Sequence, residues 1–434
     1  MTSKLIGNSE SINEDTWEEV MLEEVCDFIS RGITPSYTDK DGIVVINQKC
    51  IRDNRVNLEL ARLTNPQKKK VPDQKLLKTD DVLINSTGVG TLGRVAQMKH
   101  ISENVTVDSH VTIVRAKQKV YPKYLGYNLF MQQRNIEHLA EGSTGQTELS
   151  RNRLGKAIKL LLPPILEQRA IANILSSLDE KIDTNNQINK KLEEMAQAIF
   201  KQWFVDFELP NEDGEPFKSN GGEMVESELG FIPKGWKVGS IGDYVKVKSG
   251  YAFKSVWWEK SGIPVIKIKD IENNTINMND LSYVSSEKSQ LAKDFFVHAG
   301  DLVIAMTGAT IGKFGMVPKV ENSLLVNQRV GKFFLGDQPF AKLGFIYCVL
   351  KQQKVFDEIV NRGSGSAQPN ISPSGIETIK IILPSVQWIE KFNELVSGIF
   401  EKIAKNIDQN KKLESVRGSL LPKLMSGEIR VTME

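Results

Sequence analysis

The sequence predicts an α/β (α+β) chain in which two similar domains are separated by two long antiparallel coiled-coil helices, with a pseudo-twofold internal repeat. Three observations predict it. Segments of the first half return in the same order roughly 220 positions later. Each half ends in a run whose apolar residues follow a 4-3 spacing, and two asparagines occupy the same places in both runs.

The repeat begins at Trp17 and Trp236, each opening a segment that continues into Leu22 and Ile241. GIVVINQKCI from Gly42 then matches GIPVIKIKDI from Gly262, and DVLINSTGVGTLGR from Asp81 matches DLVIAMTGATIGK from Asp301. Both pairs read as β-rich strands, the second emptying into a Gly/Thr loop. DSHV at Asp108 lies over NQRV at Asn327, GSTGQ at Gly142 over GSGSAQ at Gly363, and AIKLLLPP, ending at Pro164, over TIKIILPS, ending at Ser385. The expected division is residues 1–163 for the first domain, 164–207 for the first helix, 208–235 for a linker rich in Gly, Pro and acid, 236–384 for the second domain, and 385–434 for the second helix and tail.

In the first helix Ile171, Leu175, Leu178, Ile182, Asn185, Asn189, Leu192, Ala196, Ile199 and Trp203 form one narrow stripe. In the second the same stripe is Phe392, Val396, Ile399, Ile403, Asn406, Asn410, Leu413, Arg417, Leu420 and Leu424. Arg417 departs from the apolar pattern, and Pro422 is expected to end the second helix about one turn early. Buried amides are costly unless they pair, so the register that brings Asn185 to Asn410 and Asn189 to Asn406 is favoured. A parallel pair would also match asparagine with asparagine. The order domain, helix, domain, helix selects the antiparallel direction, since it returns the chain and leaves the domains at opposite ends.

With 40% hydrophobic and 25% charged residues the chain has the composition of a globular protein. The start MTSKLIGNSESINEDTWEE has no signal-peptide pattern and no apolar run reaches membrane length, so a cytoplasmic location is expected. Cys26, Cys50 and Cys348 are scattered, which argues against disulfides and zinc. A net charge of +2 decides nothing about nucleic acid, because the basic side chains can still be gathered on one face.

No catalytic constellation is present, and neither a cofactor nor a metal is expected. GVGTLGRV from Gly88 has Arg94 and Val95 where a phosphate loop needs Lys and a hydroxyl, and GATIGKF from Gly308 is a residue short. Methyl-donor and amino-methyltransferase fingerprints are missing. His100, His110, His138 and His298 form no metal or serine-hydrolase pattern. Charged pairs such as Asp179 and Lys181 are expected on a solvated helix face.

What the halves share is polar loop chemistry in matching slots. The first has Ser86, Thr87, Thr91 and Arg94, then Ser109 and His110, then Ser143, Thr144, Gln146 and Arg151. The second has Thr307, Thr310 and Lys313, then Gln328 and Arg329, then Ser364, Ser366, Gln368 and Asn370. Hydroxyls and loop amides suit phosphate oxygens, whereas Arg, Gln, Asn and His can read base edges, so these residues are the candidate DNA contacts. Lys68, Lys69 and Lys70 add plausible phosphate contacts. Matching slots with different letters suit two readers of different half-sites.

With LLPKLMSGEIRV from Leu420, IFKQWFVDFE from Ile199, GFIPKGW from Gly230, TGATIGK from Thr307 and LLPPILEQRAI from Leu161, the whole chain resembles the specificity subunits of Type I restriction–modification enzymes. The resemblance implies two target-recognition domains and a non-catalytic subunit that binds double-stranded DNA at a bipartite, asymmetric site. It also implies as partners two methyltransferase subunits and, through them, restriction subunits, with Glu167, Arg169, Lys181, Lys190, Lys191 and Glu194 as docking surface. The chain departs from the family in lacking the IPxGW motif in its first copy. Two other functions fit the sequence less well: a single-chain modification–restriction enzyme lacks its motifs here, and a coiled-coil spacer joining two protein-binding modules leaves the paired loops unexplained.

Overall fold

The structure, a computed structural model, describes residues 17–101, 103–141, 147–320, 323–364 and 369–431. It divides into two units. The first joins the described residues up to Glu180 to those from Glu414 onward, and the second is Lys181–Leu413.

The first unit is built on an antiparallel sheet in which Val111–Ala116 lies between Cys26–Arg31 and Val82–Asn85, with Val95–Gln97 outermost. Alternation along a strand sends successive side chains to opposite faces, and here both faces are covered. Val82 and Ile84 therefore enter a core shared with Tyr124, Leu125, Ile171 and Leu175, while Leu83 enters another with Ile46, Val107 and Ile113. This is why VLIN is apolar almost throughout. A second sheet pairs Val105–Val107 in parallel with Ile43–Ile46, and Glu18–Met21 runs antiparallel to Lys159–Leu162.

The second unit repeats the plan. Leu302–Ala305 lies between Val330–Phe333 and Phe314–Met316, with Leu302 and Ile304 in one core and Val303 and Ala305 in the other. Leu324–Val326 pairs in parallel with Ile263–Ile266, and Lys237–Ser240 runs antiparallel to Lys380–Leu383. Even the turns match: Asp53 and Asn54 have φ of 51° and 57°, Asn273 and Asn274 of 49° and 59°. Two consecutive positive φ values make the hairpin turn that suits strand twist, and Asn and Asp tolerate it.

The stretch with a linker's composition is ordered. Phe207 and Leu209 are buried in the core containing Trp236, and Met224–Ser227 and Gly230–Pro233 form a hairpin.

The long helices are Ile165–Phe204 and Val386–Ser426, and segments of both contribute to each unit. In the second unit they pair antiparallel. Asn185 Nδ2 donates to Asn410 Oδ1 and Asn406 Nδ2 to Asn189 Oδ1, each at 2.8 Å. Asn410 also donates to Asn186, so the amides of this layer are satisfied by one another. Beyond the asparagines the packing is aromatic: Phe200, Phe204 and Phe392 meet at 5.1–5.8 Å and Trp203 meets Trp388 at 5.9 Å.

Of the stripe, Ile171, Leu175, Ile182, Asn185, Ala196, Phe392, Val396, Ile403, Asn406, Asn410 and Leu424 are buried. Leu178, Asn189, Leu192, Ile199, Trp203, Ile399, Leu413, Arg417 and Leu420 are half-buried.

Three expectations are corrected. The second helix continues through Pro422 to Ser426. The ring faces solvent, four residues after the exposed, unobstructed Gly418, and the turn beyond it is held because Leu421, Leu424 and Met425 enter the core of Leu175. Asp179 is not on a solvated face: it is 3% exposed, ion-paired to Arg417, and accepts the Tyr127 hydroxyl at 2.6 Å. Glu167 does not lie on an outward helix face. It is buried and held by Arg430, by the Val431 amide and by the Trp17 indole N–H.

Among the described residues no helix is long and apolar enough to cross a membrane. All three cysteines are buried and unpaired, and burial pushes the Cys26 thiol up to about 12.

Candidate nucleic-acid interface

In the first unit the strand Val82–Asn85 ends at Asn85, whose Nδ2 donates to the carbonyls of Gln48 and Thr91 and so ties down the following loop. Backbone bonds then gather three distant segments. Ser86 N donates to His110 O at 2.8 Å, Leu149 N donates to Ser86 O at 2.8 Å, and Thr87 bridges to Glu148. The loop around Ser86 and Thr87 thus lies between the 109–110 turn and the segment leading to Arg151.

The second unit makes the same bonds. Met306 N donates to Arg329 O at 3.0 Å, Ile371 N donates to Met306 O at 2.9 Å, and Thr307 bridges to Asn370. Thr91 and Thr310 each bond back to the carbonyl of the threonine that opens the loop, both at 3.4 Å. Asp108 and Asn327 each accept the amide two residues on, from His110 at 2.9 Å and Arg329 at 3.3 Å, and so fix the turn that presents the intervening residue. Burial raises the Asp108 carboxyl above its usual range, against the lowering effect of the His110 amide. The second copy has a neutral amide there.

Side chains differ where backbones agree. Thr87 Oγ1 is 2.7 Å from His110 Nδ1, and Gln48 Oε1 lies 3.5 Å from the same hydroxyl. His110 is exposed and Thr87 half-buried. In the second unit Gln328, Arg329, Lys313, Ser364 and Asn370 are exposed, and Thr307 and Thr310 half-buried. The buried Thr307 Oγ1 has no hydrogen-bond partner among the described residues. Ser86 points inward, fully buried against the Thr112 hydroxyl, so it fastens the loop to the sheet. Arg94 is half-buried and donates to Gly90 O at 2.9 Å; Ser109 is half-buried and Arg151 exposed. Ser143, Thr144, Gln146, Ser366 and Gln368 lie outside the described residues.

Sequence reasoning missed Gln48. A Cβ on Gly88 would meet Gln48 Oε1 at 2.6 Å, and one on Gly308 would meet Ile268 Cδ1 at 3.9 Å, so Gln48 and Ile268 stand at the same place beside the two loops. The match of GIVVINQKCI with GIPVIKIKDI carried that signal, but only the topology brings the position to the loop.

Comparison with known proteins agrees with this duplicated geometry. A family model described as the Type I restriction modification DNA specificity domain matches twice, over residues 14–194 and 233–415. The Type I restriction enzyme MjaIX specificity subunit of Methanocaldococcus jannaschii is 32% identical over 325 residues, 73% of this chain and 71% of that protein. The HindI specificity subunit of Haemophilus influenzae is 26% identical, covering 95% of this chain and 99% of that one. The crystal structure of a Type I restriction–modification S subunit from M. genitalium, 17% identical, superposes with a TM-score of 0.56 over the full length of both chains and so shares the fold. With both halves matched, the chain belongs to the Type I restriction–modification specificity-subunit family.

Proposed function

We propose that the protein reads a bipartite, asymmetric site on double-stranded DNA, each unit contacting one half-site, and that it carries methyltransferase subunits and, through them, restriction subunits to that site. It is the non-catalytic member of the assembly. The observation that carries this reading is the pair of three-segment loop clusters, alike in backbone and different in side chains. Thr87, His110 and Gln48 offer hydrogen bonds of the kind made to adenine or to a phosphate, whereas Arg329 has the fork that reads guanine and Ile268 an apolar surface that suits the thymine methyl group. Two readers of one design then recognise two sequences. The exposed helix residues Arg169, Lys181, Lys190, Lys191 and Glu194 form the docking surface for the methyltransferase.

The test is modular exchange. Residues 17–163 are replaced by those of another family member, and methylated adenines are mapped in cells that also carry the methyltransferase. Only one half of the methylated motif should change. A swap that altered both halves, or chain that bound DNA with no salt dependence, would overturn the reading.

A further inference from the structure

Behind the first unit's loop cluster lies a cleft of about 500 Å³ lined by Ser30, Arg31, Lys75, Ser150 and Arg151, with Glu141 and Glu148 also on its wall. Glu148 is paired with Arg31 and Glu141 with Arg153, so the carboxylates there are already engaged. No carboxylate pairs with Lys75 or Arg151 among the described residues. Lys75 Nζ donates to Gly32 O at 2.7 Å, and Arg31 Nη2 to Leu149 O at 2.9 Å, which holds both cations in place. Beside the Arg31–Glu148 pair, Lys75 and Arg151 thus add two like charges with no carboxylate of their own among the described residues, and such charges repel one another unless a further anion joins them. Burial lowers the pKa of both Arg31 and Lys75, and the neighbouring Arg151 lowers both further.

The scaffold does not require these cations. Gly32 and Gly250 make the same bond, to Val111 O and Val330 O, so Ser249 stands where the first unit has Arg31. Asp81 accepts the Lys78 amide as Asp301 accepts that of His298, so Phe295 stands in place of Lys75. Ser150 and Ser372 precede matching helices, so Pro373 stands in place of Arg151. The second unit builds the same backbone with no charge at any of the three positions.

We propose that Arg31, Lys75 and Arg151 form a phosphate-binding pocket, found in the first unit alone, that grips one backbone phosphate of the bound duplex. The site is continuous with the reading loop, since Leu149 bonds both Arg31 and Ser86. It anchors the first unit on its half-site without regard to sequence. The proposal rests on the DNA-reading function above, and its test separates the two.

The affinity of the full chain for duplex carrying its site is measured across a salt series, for the wild type, Arg151→Gln, Lys75→Gln/Arg151→Gln and Lys75→Arg. Arg151 is exposed and makes no side-chain hydrogen bond or ion pair among the described residues, so the single variant should keep the fold; melting curves check the others. The double variant should lose about tenfold in affinity at moderate salt. The slope of log affinity against log salt should become shallower by about 1, whereas Lys75→Arg, which keeps the charge, should leave both at their wild-type values. An unchanged slope and affinity in a folded double variant overturns the pocket while leaving DNA reading intact. If the wild type binds no duplex, the functional reading falls instead, and inorganic phosphate becomes the probe. A phosphate-dependent rise in Tm lost in the double variant then assigns the pocket to the free ion and removes the backbone contact, and no rise removes the site altogether.

Discussion

Asp179 and Arg417 occupy a layer of the helix pair whose counterpart in the second unit is Ala196 and Phe400. One repeat fills the space with a buried ion pair capped by Tyr127, the other with an aromatic ring 4.8 Å from Tyr347. Removing one partner of a buried pair strands the other charge, so Arg417→Ala should cost about 3–5 kcal/mol in urea unfolding. The double change Asp179→Phe/Arg417→Ala, which transplants the apolar layer, should recover most of that loss; a double variant no more stable than the single one would show that the layers are not interchangeable. Glu167 supplies a pH dependence. Burial raises its carboxyl, but the Arg430 hydrogen bonds, the Val431 amide, the Arg430 charge and the Trp17 indole outweigh it and leave the pKa below its usual value. A depressed folded pKa gives stability that is present above the unfolded pKa, about 4.3, and lost as pH falls through the folded value. Wild type should therefore lose stability below about pH 4.5 more steeply than Glu167→Gln, and parallel curves would mean that Glu167 contributes nothing to that slope.

Helix direction is the property of these elements most open to chemical test. Cysteines at Leu175 and Leu420, with the native cysteines removed, should cross-link readily, and cysteines at Leu175 and Val396 should not. The reverse result would overturn the antiparallel pairing. The register of that pairing was legible in the sequence because a buried amide must meet another amide, and its direction because the order domain, helix, domain, helix has to return the chain. The duplicated strands were legible for a similar reason: a strand covered on both faces leaves a nearly continuous apolar run. The errors came from third parties. Asp179 looked solvated because a two-helix stripe says nothing of Tyr127, which arrives from the helix Pro122–Met131, and Glu167 because the tail that covers it lies far along the chain. Gln48 was invisible for the same reason, its role being set by a loop about 40 residues away. Pro422 breaks a helix by local propensity alone, and the three apolar side chains that hold the turn around it act through a core that the local sequence does not show.

Over the whole molecule, the length of the helix pair should set the distance between half-sites. Inserting one heptad into each long helix, between Ile182 and Asn185 and between Asn410 and Leu413, preserves the stripe and adds about 10 Å. The gap in the methylated motif should grow by about three base pairs at roughly 3.4 Å each, with both half-sites unchanged. An unchanged gap in an active variant would show that the helices are not the ruler.

The first unit is closed by residues that follow the second in the chain: Arg430 and Val431 on Glu167, Arg417 on Asp179, and Leu421, Leu424 and Met425 in its core. On the ribosome these residues emerge only after all of Lys181–Leu413 has been made. Although its strands are synthesised first, the amino-terminal unit is therefore completed second. Until then Glu167 and Asp179 await their arginines, and the face that will hold Leu424 is open to water or to a chaperone. A chain truncated after Leu413 should accordingly present a protease-resistant second unit and a first unit that is still cleaved.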